Sequence, residues 1–187
     1  MNKTSPKAAL AAAILSLSLA LTGCAATTAD TDMPGMSEHD GDSDNAKLTE
    51  QAGFAMMMIP HHLQAITMAA YAKDSAKDPQ VVALAQQIYT AQAAEVETMK
   101  AWIGDTSIPE HAMSEGMLTD AEMTALSEAK GADFDKLFLE GMTAHHKGAL
   151  TMATQFQQTE NTELKKLVTE ILQTQTIELS MMKLLAK

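Results

Sequence analysis

The feature that most constrains this chain is a duplication written in helical period. The segment FAMMMIPHHLQAITMA, Phe54 to Ala69, lies on FLEGMTAHHKGALTMA, Phe138 to Ala153, without a gap. Phe54 matches Phe138, Met58 matches Met142, and the pair His61-His62 matches His145-His146; Ala65, Thr67 and Met68 match Ala149, Thr151 and Met152. With a one-residue deletion the following segments align as well, Ile88 to Lys100 on Ile171 to Lys183, pairing Gln92 with Gln175, Glu95 with Glu178 and Met99 with Met182. Each half is therefore a helical hairpin that carries one polar set, and the chain carries it twice.

The apolar periodicity predicts four long helices and a short one, with almost no β-branched alternation. The first is expected from about Leu48 to Lys73. Asp78-Pro79, an N-cap followed by proline at the first helical position, opens a second to about Ile103. Gly104 to Leu118 reads as a long connection. Thr119 to Glu122 is a capping box for a short helix ending near Lys130-Gly131. A fourth helix is expected from about Ala132 to Gln158 and a fifth from about Thr162 to Leu185. Long amphipathic helices joined in pairs by short turns form an all-α antiparallel four-helix bundle, with the short helix in the connection between halves. The repeat halves are about 47–103 and 132–187 of one domain that begins near Lys47.

On one helix, residues three, four and seven apart share a face. Met58 stands at i, i+3 and i, i+4 to His61 and His62, and Met68 at i+7 from His61; Met142, His145, His146 and Met152 repeat the spacing. Gln92, Glu95 and Met99 form a second stripe at i, i+3, i+7, as do Gln175, Glu178 and Met182. Imidazole with thioether selects a soft or borderline metal, Cu(I) above all, with Cu(II) able to use the imidazoles. Calcium and magnesium need oxygen ligands, and structural zinc usually takes cysteine, which the domain lacks. Di-iron bundles carry Glu-x-x-His on inward faces. Here the step is Met58-x-x-His61 and Met142-x-x-His145, which moves the preference from iron toward copper. Glu95 and Glu178 are either acceptors that orient an imidazole or ligands themselves.

The plain alternative is core packing. It is the preferred reading for Met56, Met57 and Met123, because methionine at helical spacing fills cores. Adjacent histidines point about 100° apart on a helix, so both members of a pair are not ordinary filler. Pro60, opposite Ala144 in the repeat, removes the hydrogen bond to Met56 and is expected to kink the helix before His61. Further soft donors lie outside the helices: Met33, Met36 and His39, and in the connection His111, Met113 and Met117. For these, metal capture and a solvated role are equally open.

Ahead of the domain, Lys3 and Lys7, the apolar run Ala8 to Leu21 and Leu21-Thr22-Gly23-Cys24 have the order of an export leader, residues 1–23. The run is too short to be read first as a membrane span. Small residues before a cysteine resemble the bacterial lipobox, which makes Cys24, the single cysteine, the expected lipidation site and the mature N-terminus. Residues 24–46 are acidic and punctuated by glycine and proline, a flexible tether. The chain has 13 basic and 24 acidic residues, and the leader holds two of the basic ones and none of the acidic. Such a polyanion repels phosphate backbones and anionic headgroups, so nucleic acid is excluded as a partner and cations are favoured. With no arginine, recognition of phosphate esters is disfavoured.

At MIPHHLQAITMA, LEGMTAHHKGALTMA and the Gln-x-x-Glu-x-x-x-Met step closing each hairpin, the chain resembles the family known as domain of unknown function 305. The resemblance covers about Lys47 to Lys187. It implies a ferritin-like bundle of two hairpins, export from the cell, and an association with copper binding and tolerance, with His61, His62, Met68, His145, His146 and Met152 as ligands. The connection HAMSEGMLTDAEM departs from the MPGM form common there. The expected function is a membrane-anchored, extracytoplasmic copper-binding protein that sequesters or delivers copper ions and exchanges them with other copper-handling proteins. The alternatives are a ferritin-like copper or di-metal oxidase, for which Glu95 and Glu178 would supply harder ligands, and a metal-free helical interaction module.

Overall fold

The structure, a computed structural model, describes residues 42–108 and 114–187, with side chains from residue 50 onward. The leader, Cys24, Met33, Met36, His39, His111 and Met113 lie outside the described residues. The described chain is helical: α1 (Asp42–Ser75), α2 (Pro79–Ile103), α3 (Asp120–Glu128), α4 (Ala132–Thr154) and α5 (Thr162–Leu185).

Local chemistry sets most of these limits. Asp78 accepts from the Gln80 amide at 2.8 Å while Pro79 occupies the first turn, and α2 stops at Gly104, whose φ of 55° lies in the region that favours glycine. Thr119 and Glu122 close the capping box of α3, and Asn161 caps α5 on the Leu164 amide at 3.0 Å. Helices α2 and α5 have the predicted bounds. Helix α1 begins at Asp42 rather than Leu48, taking in residues read as tether, and α4 ends at Thr154 rather than Gln158. There the Gln155 and Phe156 amides bond three residues back, to Met152 and Ala153, and the helix tightens into turns. Helix α1 runs through Pro60 without a break.

Helix α1 packs on α2 and α4, and α5 packs on α4 and α2, so the four long helices close a square. Two apolar clusters show the direction of each neighbour. In one, Phe54, Met58 and Ile59 near the start of α1 meet Ala149, Met152 and Ala153 near the end of α4, with Val96 and Met99 of α2 and Leu164 to Ile171 of α5. In the other, Ala65 to Ala72 meet Phe134, Phe138 and Met142, with Val81 to Ile88 and Met182. Neighbouring helices are thus antiparallel. Phe54, Phe134 and Phe138 are fully buried, and each such side chain contributes about 1.5–3 kcal/mol relative to exposure. Between the clusters every long helix places polar residues inside: His61 and His62, Gln92, His145 and His146, then Gln175 and Glu178. A polar belt therefore crosses the middle of the core.

The halves are also tied through the turn that follows α1. The Lys77 and Asp78 amides donate to the two oxygens of Asp135, each at 3.0 Å, and the Gly131 amide donates to the Ser75 carbonyl at 2.8 Å. Among the described residues no helix is long and apolar enough to cross a membrane.

Candidate metal centre

All four belt histidines are fully buried, at 0% exposure. Each spends its Nε2–H on an oxygen. His62 donates to Glu95 Oε2 and His146 to Glu178 Oε2, both at 2.7 Å. His145 donates to the backbone carbonyl of His61 at 2.9 Å, and His61 to that of Glu115 at 3.1 Å. A carbonyl only accepts, so for His61 and His145 the proton is on Nε2 and the lone pair on Nδ1. The carboxylates likewise take the Nε2–H of His62 and His146. All four Nδ1 atoms are buried and have no hydrogen-bond partner among the described residues.

Burial, and secondly the neighbouring His62, hold the His61 ring down to about 3, while its bond to Glu115 acts in the opposite direction. His145 is lowered for the same first reason, with His61, His146 and His62 adding to it. The His61 and His145 rings lie with centroids 3.7 Å apart and planes at 38°, a contact suited to uncharged rings. Neutral, tautomer-fixed imidazoles whose other N–H is held by a carboxylate or carbonyl are the usual form of metal-ligating histidine.

Glu95 and Glu178 thus each accept from one belt histidine. Gln92 and Gln175, at matching positions, are buried, and neither amide atom of either has a partner among the described residues. The thioethers are distributed differently from the arrangement expected along single helices. Met58 and Met99 share a cluster with Met152 of the other half, and Met142 and Met182 share theirs with Met68. The cause is the antiparallel packing of α1 on α4: the residue seven past each histidine pair's first member falls beside the partner hairpin's methionines. Each trio draws on three helices and crosses the repeat. Among the described residues no group of three or more His, Cys, Asp or Glu side chains is placed to hold an ion. Methionine lies outside that count, and Met58, Met68, Met99, Met142, Met152 and Met182 are buried in the two clusters that flank the belt.

Met56, Met57 and Met123 are partly buried and pack on the clusters, as a core role requires. Met117 sulfur accepts from the Ser114 amide at 3.4 Å and hydroxyl at 3.3 Å, which ties it into its own turn. Met182 sulfur accepts from the Thr143 hydroxyl at 3.6 Å.

Three contributors escaped the sequence reading. Glu115 acts through its backbone. Gln64 clamps the connection, its Nε2 donating to the Leu118 carbonyl at 2.9 Å and its Oε1 accepting from the Leu118 amide at 2.7 Å. Gly148 has no Cβ where one would stand 1.7 Å from the Glu115 carbonyl oxygen. The only signal was Gly148 itself, a glycine inside a strongly periodic helix.

A structure of a secreted protein from Streptomyces coelicolor is 30% identical to this chain, covering 71% of this chain and 88% of that one with a TM-score of 0.64. CopM in its Cu(I)-bound form is 33% identical, covering 72% and 93% with a TM-score of 0.62. Its Cu(II)-bound form is also 33% identical, covering 73% and 95% with a TM-score of 0.63. No curated protein matches. The model of the family described as Domain of unknown function (DUF305) matches residues 51–186, and the chain, with its duplicated hairpins and buried histidine belt, belongs to that family.

Proposed function

We propose that this protein is an exported, lipid-anchored copper-binding protein that sequesters or delivers copper without turning over a substrate. One observation carries the reading. Four buried histidines each have Nε2 held by an oxygen and Nδ1 without a hydrogen-bond partner among the described residues, in a core lined by methionine. Orphaned buried nitrogen costs free energy unless something binds it, and nitrogen with thioether favours Cu(I) while leaving Cu(II) a histidine site. CopM, 33% identical, has been solved in Cu(I)-bound, Cu(II)-bound and silver-bound forms, which supports copper for this chain.

The test is Cu(I) competition against a chromophoric chelator with the purified protein. Wild type is expected to withdraw copper stoichiometrically, and replacing His61, His62, His145 and His146 together by alanine is expected to abolish it. Unchanged copper content in a folded quadruple variant would refute the reading. Oxygen consumption during Fe(II) or Cu(I) addition separates it from the oxidase alternative, since pure binding gives no turnover.

A further inference from the structure

Three of the four belt histidines are oriented by the bundle itself: His62 by α2, His146 by α5 and His145 by α1. His61 alone is oriented by the connection between halves. Symmetry of the repeat would give it the His145 carbonyl, the counterpart of the acceptor that His145 uses. The chain instead brings Glu115 across α4.

That approach is built in from both sides. A Cβ at Gly148 would meet the Glu115 carbonyl oxygen at 1.7 Å, and one at Gly116, where φ is +84°, would meet the Ala144 carbonyl oxygen at 2.4 Å. Two glycines, one on the helix and one on the strap, therefore allow backbone to lie on backbone. The Gln64 side chain, one turn beyond His61 on α1, then holds Leu118 by both its amide and its carbonyl. Glycine inside a helix is a poorer helix former than alanine, so Gly148 serves the strap at the expense of α4.

We propose that the strap Ser114 to Leu118 is a positioning element of the metal centre, which locks the His61 tautomer and makes the His61 side of the belt dependent on the connection while the other three histidines are not. The metal part of this inference rests on the copper-binding reading above; the tautomer part does not. Glu115, Gly116, Gln64 and Gly148 act through His61 and touch no ion themselves.

The experiment is ¹⁵N NMR of the imidazoles in the metal-free protein, followed by titration with Ag(I) as a diamagnetic probe, on wild type, Gly148→Ala and Gln64→Ala. Wild type should show four fixed Nε2–H tautomers. In both variants the His61 nitrogens should move toward tautomer averaging while those of His62, His145 and His146 stay in place. The Ag(I) affinity read at His61 should fall about 10–100-fold, the usual effect of losing an orienting partner, with that read at His146 unchanged. Gln64→Ala leaves α4 untouched, so it decides the matter if Gly148→Ala does not fold. A fixed His61 tautomer in the folded variants, or equal losses at His61 and His146, would overturn the proposal. Absence of Ag(I) binding to wild type would instead sink the copper reading, and the metal-free spectra would still judge the lock.

Discussion

A histidine that stays neutral inside a folded core makes the fold sensitive to acid. In the unfolded chain the His61 ring titrates near its ordinary 6.5; in the fold, burial first and His62 second hold it down to about 3. Between those values the unfolded state binds the proton and the native state does not. The stabilising effect is therefore complete above about pH 6.5 and is lost as pH falls toward 3, at about 1.4 kcal/mol per pH unit for one such group. His145 is lowered as well and adds in the same direction. Thermal denaturation of metal-free protein between about pH 7 and 4 should show Tm falling steadily, and less steeply in a folded His61→Gln variant. A Tm that holds level across this window would contradict the burial of neutral rings. At this scale much was legible. The histidine pairs, Glu95 and Glu178 could be read because helical spacing places side chains by residue type. The Glu115 acceptor could not, because every residue has a backbone carbonyl and only the fold selects one of them.

Helix limits were legible where side chains make them. The caps Asp78, Thr119 and Asn161 each satisfy an amide within three residues, so α2, α3 and α5 start where local chemistry dictates. The end of α4 depends on how the last turn tightens, a choice with little energy between its options, and it fell short of the expected limit. Asp135 is different, since its partners are 58 and 57 residues away in sequence. It satisfies the Lys77 and Asp78 amides in the turn between α1 and α2 and so fastens one hairpin to the first turn of the other. Asp135→Ala leaves both amides without this acceptor and should cost about 1–3 kcal/mol, measurable as a lower urea midpoint. An unchanged midpoint would show that water replaces the carboxylate freely. Pro60 lies inside α1, opposite Ala144 in the repeat, and the helix continues through it. The hydrogen bonds place an inequality at the connection, where one half gains an acceptor that the other lacks.

For the whole molecule, the proposed reading takes residues 1–23 as an export leader and Cys24 as the point of lipid attachment. Under the proposed reading Cys24→Ser should move the protein from the membrane fraction to the soluble one, and intact-mass measurement of the wild type should show an acylated N-terminus at Cys24. A wild-type protein that is soluble and unmodified would remove the anchor from the proposal and leave the copper site standing. The sequence by itself determined the hairpin repeat, the helical class, the residue types of the polar belt and their preference for a soft metal, because all of these follow from helical period and donor chemistry along one chain. The tertiary structure decided how the donors are shared. Antiparallel packing of α1 on α4 sent Met68 to the second half and Met152 to the first, and close backbone contact at Gly148 gave His61 a partner from the connection. Both depend on which surfaces meet across long sequence separations, and neither is encoded in the local period.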